Sequence, residues 1–358
     1  MKPFGRQRKL WKFFASFALL VVIYVMRDRN LNTVYNNTVR CANGYNAEGS
    51  CKDSDRMQVN REAIGRNLES VPNDETHHFH TDTIATEAIW PGIVVYNRVP
   101  KCASSTLRQL ITRLQRRNKF RYEIHNWPNV KQSLTSNEES ELVGQVTSLP
   151  QPLLFLRHLH FVDFEKYNVT KPAYINMIRH PINRFVSHYY FSRFGFVNWT
   201  EEKIRKWLWP MSKERREMSL DECVKNGAEK CVVENHENFM QFFCGQDVRC
   251  KNRDDWALEK AKTNIAKNFV FIGVLEKFED SIKVAETILP KYFTGATNIF
   301  QASPNSGSHT KTANKVKPTN ETVSVLSVAL SREIELYNFV KQRLDFQITF
   351  LKKSGKIT

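Results

Sequence analysis

Three short stretches of the chain carry residues whose types and spacing can do chemistry. The first is residues 94–107, "VVYNRVPKCASSTL". Here a β-branched apolar run stops at a Pro-Lys pair, passes through small hydroxyl residues and enters the amphipathic "RQLITRLQRR". A loop running into a helix offers unpaired backbone N–H groups and the positive end of the helix dipole, which together hold anions. Lys101 adds a mobile cation, and Ser104, Ser105 and Thr106 add hydroxyl donors. The paired glycines of the G-x-x-x-x-G-K-[ST] signature are absent, so the expectation is a loop that holds a single phosphate and does not wrap a triphosphate. A plain strand–loop–helix corner fits the same residues.

The second stretch is "INMIRHPINRFVSHYYF". Arg179 stands where a parallel strand is expected to end, the edge at which open α/β sheets bind ligands. Ser187 follows eight residues later, about two turns into the next helix. An arginine fork with a serine hydroxyl clamps a phosphate well; an arginine that merely caps its own strand is the plain alternative. Two separate clamps point to a nucleotide bearing phosphates at two positions. The third stretch is "LRHLHFVDF". If it is a strand, His158 and His160 face the same way and could ligate a metal or act as a general base. No further ligand stands at metal-site spacing, and a structural histidine is the remaining reading.

These residues need a scaffold, and the chain supplies a pattern for one. From Ile89 onward strands alternate with helices: "GIVVYNRV", then "STLRQLITRLQRR"; a strand within "PLLFLRHLHFVDF"; "PAYINMIR", then a helix opened by Pro181. "WALEKAKTNIAKN", the strand "FVFIGVL", the helix "FEDSIKVAETILPKYF" and a final helix from about Glu321 to Leu351 follow. Such alternation predicts an α/β fold, a central parallel sheet flanked by helices.

The N-terminal part reads differently. Residues 10–26, "LWKFFASFALLVVIYVM", form an apolar run preceded by basic residues and lacking a small-residue cleavage site. It is expected to be a transmembrane signal anchor, with residues 1–9 as a cytoplasmic tail, 27–88 as a polar stem and 89–358 as a lumenal domain. Four N-x-[ST] sequons, at Asn36, Asn168, Asn198 and Asn320, agree with lumenal exposure as glycosylation sites. In an oxidising compartment the close pairs Cys223 with Cys231 and Cys244 with Cys250 are candidate disulfides. Cys41 and Cys51 could close a third loop, and Cys102 is left over. The net charge is +16, and five of those charges fall in the first 26 residues without an acid, leaving +11. That excess calls for an anionic partner: nucleic acid, acidic lipid or a polyanionic glycan.

Taken together, "PKCAS", "RHLHF" and "YINMIRHPINRFVSHYYF" resemble the glycosaminoglycan 2-O-sulfotransferases, most nearly the uronyl 2-O-sulfotransferase and Pipe branch. Heparan sulfate 2-O-sulfotransferase carries Thr after the lysine. The resemblance extends from about Ile93 through the last helix and includes "FFCG…C", "WALEKAK", "LPKYFTGAT" and "SHTK". It implies a single P-loop-like sulfotransferase domain that moves a sulfuryl group from 3′-phosphoadenylyl sulfate (PAPS) to the 2-hydroxyl of a uronic acid, releasing PAP and needing no metal. The implied acceptor is a dermatan, chondroitin or heparan glycosaminoglycan or its proteoglycan, not nucleic acid. The implied setting is a single-pass type II protein of the Golgi membrane, assembled as a homo-oligomer, a trimer.

Carried over by residue, the resemblance makes Lys101, Cys102, Ala103, Ser104, Ser105 and Thr106 the 5′-phosphosulfate site, with Lys101 also catalytic. Arg179 and Ser187 become the 3′-phosphate clamp. Ser308 and Lys311 fall in a late nucleotide-covering loop. His158 becomes the base with His160 beside it, and His125 a residue near the acceptor. The family pattern agrees with disulfides Cys223–Cys231 and Cys244–Cys250 and a free Cys102. His180 departs from the family, whose members usually have Asp after the arginine. Two other classes fit less well: a lumenal glycan kinase, which needs carboxylate-held Mg²⁺, and a sulfotransferase-fold glycan-binding protein without catalysis.

Overall fold

The computed structural model describes residues 84–125, 131–208, 210–235, 238–303 and 310–358. Five strands, β1 (Ile93–Asn97), β2 (Arg121–His125), β3 (Leu153–Arg157), β4 (Ala173–Ile178) and β5 (Phe269–Val274), form one sheet in the order β2-β3-β1-β4-β5. Every neighbouring pair is parallel. The central strands β3, β1 and β4 are almost entirely buried and correspondingly apolar, as a sheet covered on both faces requires. The edge strand β2, "RYEIH", was not anticipated, because its charged residues mask the alternation that marks a strand.

The sheet is accompanied by seven longer helices: α1 (Ser104–Asn118), α2 (Ser136–Ser148), α3 (Pro181–Phe194), α4 (Asp255–Asn268), α5 (Phe278–Ile288), α6 (Asn320–Ala329) and α7 (Ser331–Lys353). The expected parallel α/β architecture is therefore present. Helix α2 was not anticipated, although a reciprocal capping box between Thr135 and Glu138 starts it. Pro181 sits in the first turn of α3, where its missing N–H costs nothing.

Two helices end earlier than expected. The segment read as one helix through Phe293 stops at Ile288. Pro290 cannot donate, and Leu289 before it leaves the helical region at φ −126°, so a separate turn Pro290–Phe293 begins. The long C-terminal helix breaks at Leu330, which is buried in a second apolar cluster with Phe185, Tyr189, Leu220 and Val232.

That cluster lies under α3 and contains one bonded cysteine pair, Cys223–Cys231; the other, Cys244–Cys250, belongs to the main core. Cys102 is free and buried. Residues 84–86, at the end of the stretch read as stem, lie against the domain: Ile84 is buried, and Gln347 donates to the Ala85 carbonyl at 2.7 Å. The sequon residues Asn168, Asn198 and Asn320 are exposed. Asn36, Cys41, Cys51, Ser308 and the apolar run 10–26 lie outside the described residues, among which no helix is long and apolar enough to cross a membrane.

Two asparagines are completely buried, Asn97 at the carboxyl end of β1 and Asn176 two residues before the end of β4. Asn176 Nδ2 donates to the Asn97 carbonyl (2.7 Å) and to Asn97 Oδ1 (2.9 Å), while Asn97 Nδ2 donates to the Phe242 carbonyl (2.7 Å). Asn176 Oδ1 accepts from its neighbour's amide, Met177 N, at 2.8 Å. Two buried amides thus satisfy one another and three backbone groups, fixing the strand ends on which the next residues ride. Asn176→Ala should therefore destabilise the protein by about 2–3 kcal/mol, since it strands buried acceptors on Asn97. A urea midpoint matching wild type would show that the strand ends are held by something else.

Candidate active site

The chain leaving β1 and the chain leaving β4 open onto one cavity of about 630 Å³, within the roughly 300–1,000 Å³ usual for small-molecule sites. Helix α3 organises it. Arg184, Ser187 and Phe191 are three and four residues apart and share a face. Arg184, only 2% exposed, donates from Nε to the Pro100 carbonyl at 3.1 Å and so holds the loop after β1. Ser187 Oγ lies 3.2 Å from Thr312 Oγ1. The Phe191 ring carries the Lys101 ammonium 3.8 Å above its centre, with the Phe196 ring at 4.8 Å.

The loop makes tight turns although it lacks the glycines of the P-loop signature. Lys101 (φ 65°) and Ala103 (φ 57°) both adopt the left-handed conformation, at a cost on the order of 1–2 kcal/mol each for an L-residue. The backbone makes these turns without glycine because neighbouring packing holds it there. Cys102, between them, is fully buried, and burial pushes its thiol up to about 11, so it serves as an apolar plug. It does not line the cavity, whereas Lys101, Ala103, Ser104, Ser105 and Thr106 do. Among the described residues nothing accepts the Ser104 or Ser105 amide, and the first turn of α1 holds no acid. The helix start therefore presents open N–H groups and an uncancelled dipole.

Arg179 and Ser187 line the same cavity, so the two clamps read from the sequence converge. Lys311 joins them from the segment 311–313, which pairs with 195–197: Val197 N donates to the Lys311 carbonyl and Ala313 N to the Gly195 carbonyl, both at 3.0 Å. Gly195 is required at this turn, having φ 66° and no room for a Cβ, which would lie 2.4 Å from Trp199.

The electrostatics are one-sided. Arg98, Lys101, Arg108, Arg179, Lys311 and Lys315 line the cavity with no carboxylate among the lining residues. Burial, then repulsion from Arg179, Lys315 and Arg184, pulls the Lys101 ammonium down to about 7. Burial also lowers Arg179 and Lys315. Arg98, Arg108, Phe191, Phe196, Thr312 and Lys315 were not anticipated. Arg98 and Arg108 bracket the loop in "NRVPKCASSTLR", and Lys315 follows Lys311 by four in "KTANK", which is the only trace they leave in the sequence.

The histidines are separated by the fold. Strand β3 ends at Arg157, so His158 and His160 are not on a strand and do not face the same way. His158 lines the main cavity, with Nδ1 2.9 Å from the Arg98 carbonyl. A carbonyl only accepts, so Nδ1 carries the hydrogen, which in the neutral ring leaves the lone pair on Nε2. His160 is buried in a neighbouring cavity, 3.2 Å from Ser133 Oγ and edge-on to Phe242. His125, on β2, borders a third cavity beside Glu123 and Phe155 and does not join either. Burial, with Arg157 adding to it, lowers its pKa.

His180 turns its ring to Tyr337, with centroids 5.2 Å apart, and its amide donates to Glu276, so the departure from Asp puts no side chain among the residues lining the cavity. Among the described residues no group of three or more His, Cys, Asp or Glu gathers as a metal site.

Comparison with known proteins places this geometry. Residues 93–340 match the Sulfotransferase family. Uronyl 2-sulfotransferase of Homo sapiens is 38% identical over 260 residues, covering 71% of this chain and 63% of that protein. Heparan sulfate 2-O-sulfotransferase 1 of Gallus gallus is 35% identical over 260 residues, 71% of each chain. The chain thus spans less than two thirds of the uronyl relative's length. The match begins at the first residue of β1, takes in the cradle, both clamps and His158, and ends within α7: the chain belongs to the sulfotransferase family.

Proposed function

We propose that this protein transfers a sulfuryl group from PAPS to the 2-hydroxyl of a uronic acid in a glycosaminoglycan. The observation that carries the reading is the single cavity in which the Lys101 cradle, the Arg179–Ser187 pair and His158 all appear, lined by six cations and no carboxylate. Such a cavity suits a nucleotide with phosphates at two positions. The names of the relatives support a uronic-acid acceptor. The N-terminal apolar run and the sequons support a type II Golgi protein with a glycosylated lumenal domain, and family resemblance supports a homo-oligomer.

In this reading Arg179 and Ser187 hold the 3′-phosphate, with Lys311 and Thr312 from the covering segment beside them. Lys101 and the Ser104 and Ser105 amides face the phosphosulfate. As the S–O bond breaks, negative charge grows on the departing phosphate, and these donors stabilise it without having to reorganise. His158 Nε2 takes the proton of the attacking hydroxyl. Burial of Lys101 among cations keeps its charge costly until the anion arrives.

The direct test is transfer of labelled sulfate from PAPS to a panel of defined glycans. Transfer to iduronate- or glucuronate-containing chains is expected, and transfer to none of them sinks the reading. Within that assay His158→Ala should cut turnover by roughly 10²–10⁴-fold while PAP affinity stays near wild type. If instead His160→Ala is the silent enzyme and His158→Ala is active, the proton acceptor lies in the other cavity.

The two cations should separate kinetically. Arg179 contributes binding already present in the ground state, so Arg179→Ala should chiefly raise KM for PAPS; Lys101→Ala should chiefly lower kcat. Matching small changes in both constants would contradict these roles.

Lys101 also predicts a pH signature. With its free-state pKa lowered to about 7 and raised again beside bound phosphate, PAP binding between roughly pH 7.5 and 9 should take up close to one proton. Affinity should then fall by up to about tenfold per pH unit as pH rises, and level off below pH 7, where Lys101 is already charged. Calorimetry in buffers of different ionisation enthalpy measures the uptake. Lys101→Met should abolish it, and uptake surviving in that variant assigns the proton to another group.

A further inference from the structure

Beyond the end of β3 lies a second cavity, of about 450 Å³. Its walls are tied together by one side chain. Gln246 donates from Nε2 to the His160 carbonyl (3.0 Å) and the Gln132 carbonyl (3.4 Å), and its Oε1 accepts from Leu134 N at 2.8 Å. His160 N donates to the Gln132 carbonyl at 3.1 Å. Because Gln246 sits inside the loop closed by Cys244–Cys250, that loop and both wall segments form one frame.

Three groups in this frame are donors with a bearing on a ligand. Asn238 is 5% exposed; its Oδ1 accepts from Met240 N at 3.0 Å, yet its buried Nδ2 meets no acceptor among the described residues. Leaving such a donor unmet is unfavourable, and a bound acceptor would meet it. Lys251 and Arg253 line the cavity just past the disulfide, Arg253 from a left-handed backbone (φ 56°) that redirects the chain. Among the described residues that line it, none is a carboxylate. The acid that Arg253 senses is Glu333, buried on α7 and shared with Arg184 and Arg332. Donors and two cations with no acid among the described lining residues favour an anion.

The main cavity and this one are bordered by His158 and His160, which are two residues apart and so no more than about 7 Å along the backbone. We infer that the second cavity is an anion-reading subsite for the acceptor polysaccharide, in which Lys251, Arg253 and Asn238 hold a sulfate ester or carboxylate of a sugar flanking the one modified. The inference rests on the sulfotransferase reading above and adds to it the residues that set acceptor preference.

The test uses the full-length protein, Lys251→Ala, Arg253→Gln and the double variant, with two hexasaccharides of chondroitin backbone, one unsulfated and one sulfated on its hexosamines. KM for the acceptor should rise about tenfold or more in the double variant while KM for PAPS stays within twofold of wild type. If sulfate is the group read, wild type prefers the sulfated hexasaccharide and the double variant loses that preference. If carboxylate is read, both acceptors weaken alike. Acceptor KM values unchanged on both hexasaccharides overturn the subsite. Unchanged PAP affinity certifies the fold, and Lys251→Ala, an exposed position, gives the answer should Arg253→Gln misfold. Direct binding of the sulfated and unsulfated hexasaccharides without donor separates the two levels. Binding lost in the double variant supports the subsite even if no sulfate transfer is found, and binding retained there counts against it.

Discussion

The site depends first on the exchange of hydrogen bonds between Asn97 and Asn176. Parallel strands end without a partner for their last polar groups, and in the middle of a buried sheet those groups cannot reach water. Two asparagines, both completely buried, solve this at the end of β1, where Asn176 from within β4 donates to the carbonyl of Asn97 and Asn97 extends the network to the Phe242 carbonyl. The residues that follow them, Arg98 through Lys101 on one side and Arg179 on the other, therefore leave the sheet from fixed positions. Every cation in the cavity that comes from these two strand ends inherits its placement from that pair.

The second constraint is charge of one sign. This cavity gathers six cations with no acid among its described lining residues, the acid acting on Arg179 being Glu276 outside that lining. The unfavourable part is visible in Lys101, whose ammonium is held between Phe191 and Phe196 and is pulled down to about 7. Two left-handed residues in the same loop add backbone strain. Both costs are met by α3, which grips the Pro100 carbonyl with Arg184, supports Lys101 with Phe191 and meets the covering segment through Ser187. The opposite face of that helix is buried in its own apolar cluster, so the helix is anchored independently of the site it shapes. An anionic ligand would relieve the repulsion and so turn it into binding energy.

Much of this was legible in the sequence. The apolar runs of β1, β3, β4 and β5 and the first turn of α3 were set by local composition and by Pro181, and the cradle lysine, Arg179 and Ser187 could be placed because strand ends and helix starts in a parallel sheet lie at one edge. The short cysteine spacings determined the two bonded pairs, and the family resemblance named the chemistry. What local pattern cannot carry is where a chain goes once its strand stops. His158 and His160 look like a same-face pair only if β3 continues, and it ends at Arg157, sending one ring to each of two cavities. The left-handed turns at Lys101 and Ala103 could not be read from residue type, since what holds them is Arg184, more than eighty positions away. The same holds for Phe191 under Lys101, Thr312 against Ser187, and Gln246 across the second cavity. The sequence determined which groups could do chemistry and on which kind of element each would sit. Which of them share a cavity is set by long-range packing and hydrogen bonding that no spacing along the chain encodes.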